Sequence, residues 1–168
     1  MKKIIMSLFT IVMVVGLSNN LNAQNTATDQ ANSSATIITP ITITKANPLS
    51  FGTIVDGTGI VTMSTGGVRS NDYQAFAGTQ AGTVTAASFD ITGQGAYTYA
   101  ITLPGSEVTL TETGDDTMTV DTFVSDPSGT GTLSAGAGTV LVGAKLNVVQ
   151  GQETGLYSGS FDVTVAYN

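Results

Sequence analysis

Strict alternation of apolar and polar residues closes this chain. Tyr157, Phe161, Val163, Val165 and Tyr167 fall on one face of an extended backbone, and Ser158, Ser160, Asp162, Thr164 and Ala166 on the other. A period of two predicts a half-buried β-strand, because successive side chains of a strand leave on opposite faces. The period recurs upstream. Val140, Val142, Ala144, Leu146 and Val148 share a face of a penultimate strand. The polar loop at 150–154 then predicts a terminal hairpin. Residues 97–103 alternate completely between a Gly93-Gln94-Gly95 turn and a Pro104-Gly105 stop. Phe89 and Ile91 point inward in a strand over 84–91, and Met118, Val120 and Val124 mark one that Asp126-Pro127-Ser128-Gly129 closes. Shorter strands are predicted at 49–54, 60–63, near Val68 and around Val108 and Leu110. Near the start, Ile37, Ile41 and Ile43 share a face. Pro40 interrupts them and has no amide to donate, which predicts an edge strand or a broken one. About nine strands at short spacing, with no helical period after residue 23, predict an all-β sandwich.

The first residues follow a different pattern. Lys2 and Lys3 precede an apolar run from Ile4 to Leu17, and a polar stretch leads to Ala23. This is the layout of a secretory signal peptide, too short and wrongly flanked for a membrane span. Cleavage after Ala23 is expected, with Leu21 where a small residue is usual. The chain divides into a signal peptide (1–23), a polar lead (24–35) and a β-sandwich domain (36–168). No later apolar run reaches the length of a spanning helix, so the product is expected at the periplasm, the cell surface or outside the cell, with no membrane span.

Composition narrows the chemistry. After residue 23 there are twelve acidic residues against three basic ones, Lys45, Arg69 and Lys145, for a net charge of −9. Such a surface repels nucleic acid, whose backbone needs clustered Lys and Arg, and favours solubility. The chain has no Cys and no His. It therefore has no disulfide staple, no Ser–His–Asp or Cys–His arrangement, no zinc site of the usual ligands and no thiol redox centre. No cofactor and no enzyme activity are expected.

What remains is thin. Asp115 and Asp116 are adjacent, with Glu112, Asp121 and Asp126 nearby, and a glycosidase works with two carboxylates. Gly114-Asp115-Asp116 reads first as a turn, since Asp and Gly favour turn geometry, and the spaced acidic loop of a calcium site is missing. Tyr97 and Tyr99 sit two apart on one face. They offer a sugar-stacking platform if exposed, and cross-strand packing with Ile101 and Leu103 if not. Lys45 and Lys145 read as solvated lysines rather than partners in an isopeptide bond.

Several strings resemble known sequences. Val142-Gly143-Ala144-Lys145-Leu146-Asn147-Val148 and the run from Gly155 to Asn168 look like the end of an uncharacterised family of exported bacterial domains, domain-of-unknown-function family 4402. Ile41-Thr42-Ile43-Thr44-Lys45, Leu49-Ser50-Phe51-Gly52-Thr53, Ala87-Ser88-Phe89-Asp90-Ile91-Thr92-Gly93, Tyr99-Ala100-Ile101-Thr102-Leu103-Pro104 and Pro127-Ser128-Gly129-Thr130-Gly131 match in the same order. A looser resemblance is to chaperone–usher fimbrial subunits of the spore-coat-U-like kind. Those end in an alternating strand with a penultimate aromatic and a Gly fourteen residues from the end, the places of Tyr167 and Gly155. Leu49-Ser50-Phe51-Gly52 also resembles their early strand. That resemblance implies an Ig-like Greek-key β-sandwich, a periplasmic chaperone as partner, and a groove filled by a neighbour's strand. This chain departs from it in lacking a disulfide and in a lead that holds, from Asn25 to Ser34, only Ala27 and Ala31 as apolar residues.

The expectation is a non-enzymatic structural domain, a fimbria-like subunit or adhesion module, that associates with itself or with other surface proteins. Its assembly strand holds Gly155, Tyr157, Gly159, Phe161, Val163, Val165 and Tyr167, and its N-terminal pairing strand Ile37, Ile41 and Ile43. The alternative is a carbohydrate- or ligand-binding module. The sequence leaves open whether 37–43 completes its own sandwich or a neighbour's.

Overall fold

The computed structural model describes residues 26–73 and 82–168, so the signal-peptide reading of 1–23 lies outside the described residues. The chain forms two units, Met1–Thr36 and Ile37–Asn168. In the first, residues 26–36 are exposed and carry no regular structure. The second is all-β: twelve strands form among the described residues, and no helix.

The longest strand, β11 (Ala137–Val148), organises the others. Its alternation places Val140, Val142, Ala144, Leu146 and Val148 inward, and all five are buried. This is the face that a two-residue period predicts. The first half of β11 pairs with β6 (Ala87–Thr92), Val140 lying opposite Phe89. Its second half pairs with β3 (Gly59–Met63), Leu146 lying opposite Val61. The other edge pairs with β9 (Thr117–Asp126), which sets Leu146 against Val120. Then β1 (Thr42–Asn47) adds to β6, β4 (Arg69–Asn71) to β3 and β8 (Val108–Thr111) to β9, completing an antiparallel sheet of seven strands. A second sheet has β7 (Thr98–Thr102) between β10 (Thr130–Thr132) and β12 (Thr164–Tyr167). A short ribbon joins β2 (Ser50–Phe51) to β5 (Val84–Thr85).

Two apolar clusters hold these layers. In one, Ile91, Val140 and Val142 of the large sheet meet Tyr99 and Ile101 of the small sheet, with Ala87 and Leu133. In the other, Val61, Met63, Val120, Ala144, Leu146 and Val148 gather with Phe51. Leu49 and Phe123 touch both. Each large side chain buried contributes about 1.5–3 kcal/mol. With no cysteine in the chain, this burial and the strand ladders carry the stability.

The structure differs from the predicted pattern in four places. It has more than nine strands, because β10 is too short to show a period and β5 parts from β6. The stretch 84–91 divides at Ala86, its first part pairing with β2 and its second joining the large sheet. In β9 the register shifts opposite Gly143 and Lys145, and Thr122 takes a left-handed φ of 49°. A bulge inverts the phase of everything beyond it. Phe123 therefore turns to the core, while Val124, which an unbroken strand would put on the face of Val120, is 46% exposed. Finally, β12 does not make a hairpin with β11. It pairs with β7 in the other sheet, Val165 opposite Ile101. Alternation reveals which face of a strand is buried but not which strand lies beside it.

Candidate functional site

Between β11 and β12 the chain travels from one sheet to the other, and its path is fixed by polar contacts. The side-chain amide of Gln152 donates to the Thr117 carbonyl at 2.9 Å, and the Glu153 amide donates to the Asp116 carboxylate at 2.9 Å. The Tyr157 hydroxyl lies 3.0 Å from the same carboxylate and 2.9 Å from the Glu153 carbonyl. Burial, then the hydrogen bond to Asp116 and the nearby charges of Asp116, Glu112 and Glu153, push the Tyr157 hydroxyl up to about 12. In return the Glu153 amide, followed by the Tyr157 hydroxyl, holds Asp116 below the ordinary carboxylate value. Asp115 takes a left-handed φ of 72° in the tight turn between β8 and β9, where its amide donates to the Glu112 carbonyl at 3.1 Å. The adjacent carboxylates thus form a turn and an anchor for the loop that follows.

The terminal segment then lies against β8. Thr111 and Ser158 exchange two backbone hydrogen bonds, at 2.9 and 3.0 Å. One of the predicted assembly residues is a glycine for a steric reason: a Cβ at Gly159 would strike the Thr109 carbonyl and Leu110, whereas one at Gly155 would meet only the flexible Glu112 side chain. From 159 to 163 the backbone makes no backbone hydrogen bond among the described residues. Side chains hold this stretch instead: the Phe161 ring packs on Phe123 at 4.9 Å and on Phe89 at 6.4 Å. Tyr157, Phe161, Val163, Val165 and Tyr167 are all half-buried, while their neighbours are exposed.

Facing this segment is the stretch 48–56, and between the two runs an open groove of about 860 Å³. Its floor is apolar and comes from three strands: Val108 and Leu110 of β8, Met118 and Val120 of β9, Leu146 and Val148 of β11. All but Val108 belong to or pack on the cluster around Phe51, while the other cluster is roofed by the small sheet. The far wall is pinned from behind. The buried Arg69 guanidinium donates to the carbonyls of Phe51 and Thr53, and the Tyr73 hydroxyl donates to the Val55 carbonyl. Burial lowers the Arg69 pKa, though a guanidinium remains charged in proteins. Val55 and Leu156 line the groove and are 43% and 79% exposed. Asp56 and Glu153 also line it, and no lysine or arginine does. The Asp56 carboxylate accepts the Gly151 amide at 2.9 Å, two residues along the chain from Glu153.

The other singled-out residues lie elsewhere. Ile43 pairs with Ile91 on β1, and Ile41 and Ile43 pack on the roofed cluster. Ile37 does not share their face: it precedes β1, beyond Pro40, and is 97% exposed. Tyr99 is a core residue, whereas Tyr97 is exposed and tilts against Tyr167 at 5.6 Å. No platform of two exposed rings forms, because Tyr97 sits in the turn before β7, where strand alternation has not begun. Lys145 lies opposite Asp121 in the ladder. The Thr122 and Asn147 side chains, and then the Lys145 charge, lower the Asp121 pKa. The groove itself escaped the sequence reading, although apolar Val55 and Leu156 within polar loops were its visible trace.

The family model described as Domain of unknown function (DUF4402) matches residues 41–167, which reach from the residue before β1 to the end of β12. The chain belongs to this family. Its DUF4402 match takes in the groove, both of its walls and the terminal strand. No curated protein and no solved structure matches the chain. Among the described residues of this DUF4402 protein, no helix is long and apolar enough to cross a membrane.

Proposed function

We propose that this protein is an exported, surface-associated structural domain without enzymatic activity, built as an Ig-like Greek-key sandwich and serving as a fimbria-like subunit or adhesion module. The observation that carries this reading is the apolar groove beside the terminal strand. A floor of Val108, Leu110, Met118, Val120, Leu146 and Val148 suits contact with another polypeptide. Of its acids, the Asp56 carboxylate and the Glu153 backbone amide serve as loop anchors. Export rests on the residues 1–23 pattern, and N-terminal sequencing of the secreted protein tests it. The binding module that would stack sugars on Tyr97 and Tyr99 loses support from the burial of Tyr99.

The test is assembly. Protein purified after export is followed by light scattering across concentration, and native surface fractions are resolved for multimers. Higher-order species in either support a subunit role. A strict monomer, absent from surface fractions, removes it.

A further inference from the structure

We infer that the groove binds a free cationic amphiphile, a small molecule with an apolar body along the floor and a single ammonium or amidinium head against the 153–157 wall. Such an occupant covers the floor that polypeptide contact would use, so the two compete, but the binding itself does not rest on the structural reading above. Three observations carry it.

First, the groove has the size and lining of a small-molecule site. Its volume of about 860 Å³ lies within the roughly 300–1,000 Å³ of ligand pockets, which are apolar with a few polar groups. The floor is preformed, since β9 lies between β8 and β11, and β11 is paired on both edges. Phe51, Phe123 and Phe161 line it from three separate segments, and the last two pack ring on ring at 4.9 Å. Leu110, Met118 and Phe123 pack on the core beneath, yet each is only half-buried. An apolar ligand completes their removal from water.

Second, the charge that lines the groove has one sign. Asp56 and Glu153 line it, one on each wall, and no lysine or arginine does. Two more carboxylates stand at the 153–157 wall. The Glu112 side chain lies where a Gly155 Cβ would go, and the Asp116 carboxylate lies 3.0 Å from the Tyr157 hydroxyl. A buried arginine, Arg69, stands behind the opposite wall, where it donates to the Phe51 and Thr53 carbonyls. The cationic head therefore belongs at the 153–157 wall, and an anionic amphiphile of equal length is disfavoured.

Third, the larger candidates carry the wrong charge. A second copy brings the same excess of acids, twelve against three basic residues after residue 23. An anionic bilayer surface is repelled likewise. A free cationic amphiphile meets neither obstacle, and its flexible body can lie along the floor.

The test uses protein purified after export and three amphiphiles of equal chain length, each below its micellar concentration: decyltrimethylammonium, neutral decyl maltoside and decanoate. Calorimetry should give one site, with the cation bound about fivefold more tightly than the maltoside, the scale of an exposed ion pair, and decanoate weakest. Added salt should narrow that gap. A Glu112→Gln, Glu153→Gln variant should lose most of the preference and keep its affinity for the maltoside. The chain has no tryptophan, so Leu156→Trp, at a 79% exposed position of the groove, supplies a lone reporter whose emission should move to the blue on binding of the cation. Methyl resonances of Leu110, Val120 and Leu146 should shift with it. Absence of saturable binding, decanoate bound as tightly as the cation, a double variant that keeps the full preference, or shifts confined to methyls outside the groove overturns the inference. Assembly by light scattering without ligand binding would sink this inference alone. Ligand binding without assembly or surface attachment would sink the structural reading alone.

Discussion

The hydroxyl of Tyr167 donates to the carbonyl of Thr39 at 2.9 Å and accepts the amide of Gln94 at 2.6 Å. The loop closes further where the Thr39 amide donates to the Gln94 side chain at 3.1 Å. One phenol, at the end of the terminal strand, thus ties together β12, the turn between β6 and β7, and the residues that lead into β1. The ring approaches the turn so closely that a Cβ at Gly93 would meet the hydroxyl.

Tyr167→Phe keeps the ring and removes both bonds. The Gln94 amide then loses its acceptor within the fold. The expected cost is about 1 kcal/mol, the net worth of a protein hydrogen bond with partial solvent compensation. Chemical denaturation should show a lower midpoint at unchanged slope, and hydrogen exchange should quicken at Gln94 and Thr39 ahead of the β11 core. Equal protection at these amides in both proteins would contradict the tie.

A second tie is steric. The buried Tyr99 ring lies over Gly131, which β10 sets directly opposite it, and its hydroxyl reaches to 3.0 Å from where a Gly138 Cβ would be. Gly131→Ala drives a methyl into the ring. Overpacking of a closed core costs about 1–3 kcal/mol, and the urea midpoint should fall accordingly. Gly105→Ala serves as the control, since nothing lies within 4 Å of its Cβ position. Its change is expected to stay within about 0.5 kcal/mol.

These ties explain what could be read in the sequence. The inward face of β11 was legible because both edges of that strand are paired and its whole length keeps one phase. Val124 was not legible, because a bulge near Thr122 changes the phase without leaving a mark in the local pattern. The partner of β12 was hidden for a related reason: Val165 packs inward whether it lies beside β11 or beside β7. The groove was the least legible feature. It arises where 48–56 and 152–161, distant in the chain, face each other, and no local period encodes that distance.

The Asp116–Tyr157 contact predicts opposite pH limits. The Asp116 pKa is lowered by the Glu153 amide and the Tyr157 hydroxyl, so its contribution is present above the unfolded value of about 4 and is lost as pH falls through the lower folded value. Tyr157 is raised, to about 12, so its contribution is present below the unfolded value of about 10 and is lost as pH climbs through about 12. Asp116→Asn should flatten the acid limb of stability against pH and lower the Tyr157 titration seen by tyrosinate absorbance. Tyr157→Phe should remove from that curve a tyrosine that ionises only near pH 12. An unchanged titration in Asp116→Asn would rule the contact out.

Two leucines beside the groove separate its floor from its rim. Leu146 is 2% exposed and Leu156 is 79% exposed, and both line the groove. Leu146→Ala deletes a side chain packed among Val61, Val120 and Val148, and should cost about 2–5 kcal/mol in folding. Leu156→Ala removes a side chain already in water, and should change stability by less than about 0.5 kcal/mol. The prediction turns on the difference. If Leu156→Ala proves as costly as Leu146→Ala by denaturation, the 152–158 loop is folded into the core, and the open groove does not exist in solution. If the two differ as expected, Leu156 is an apolar residue held at the groove's mouth without contributing to folding.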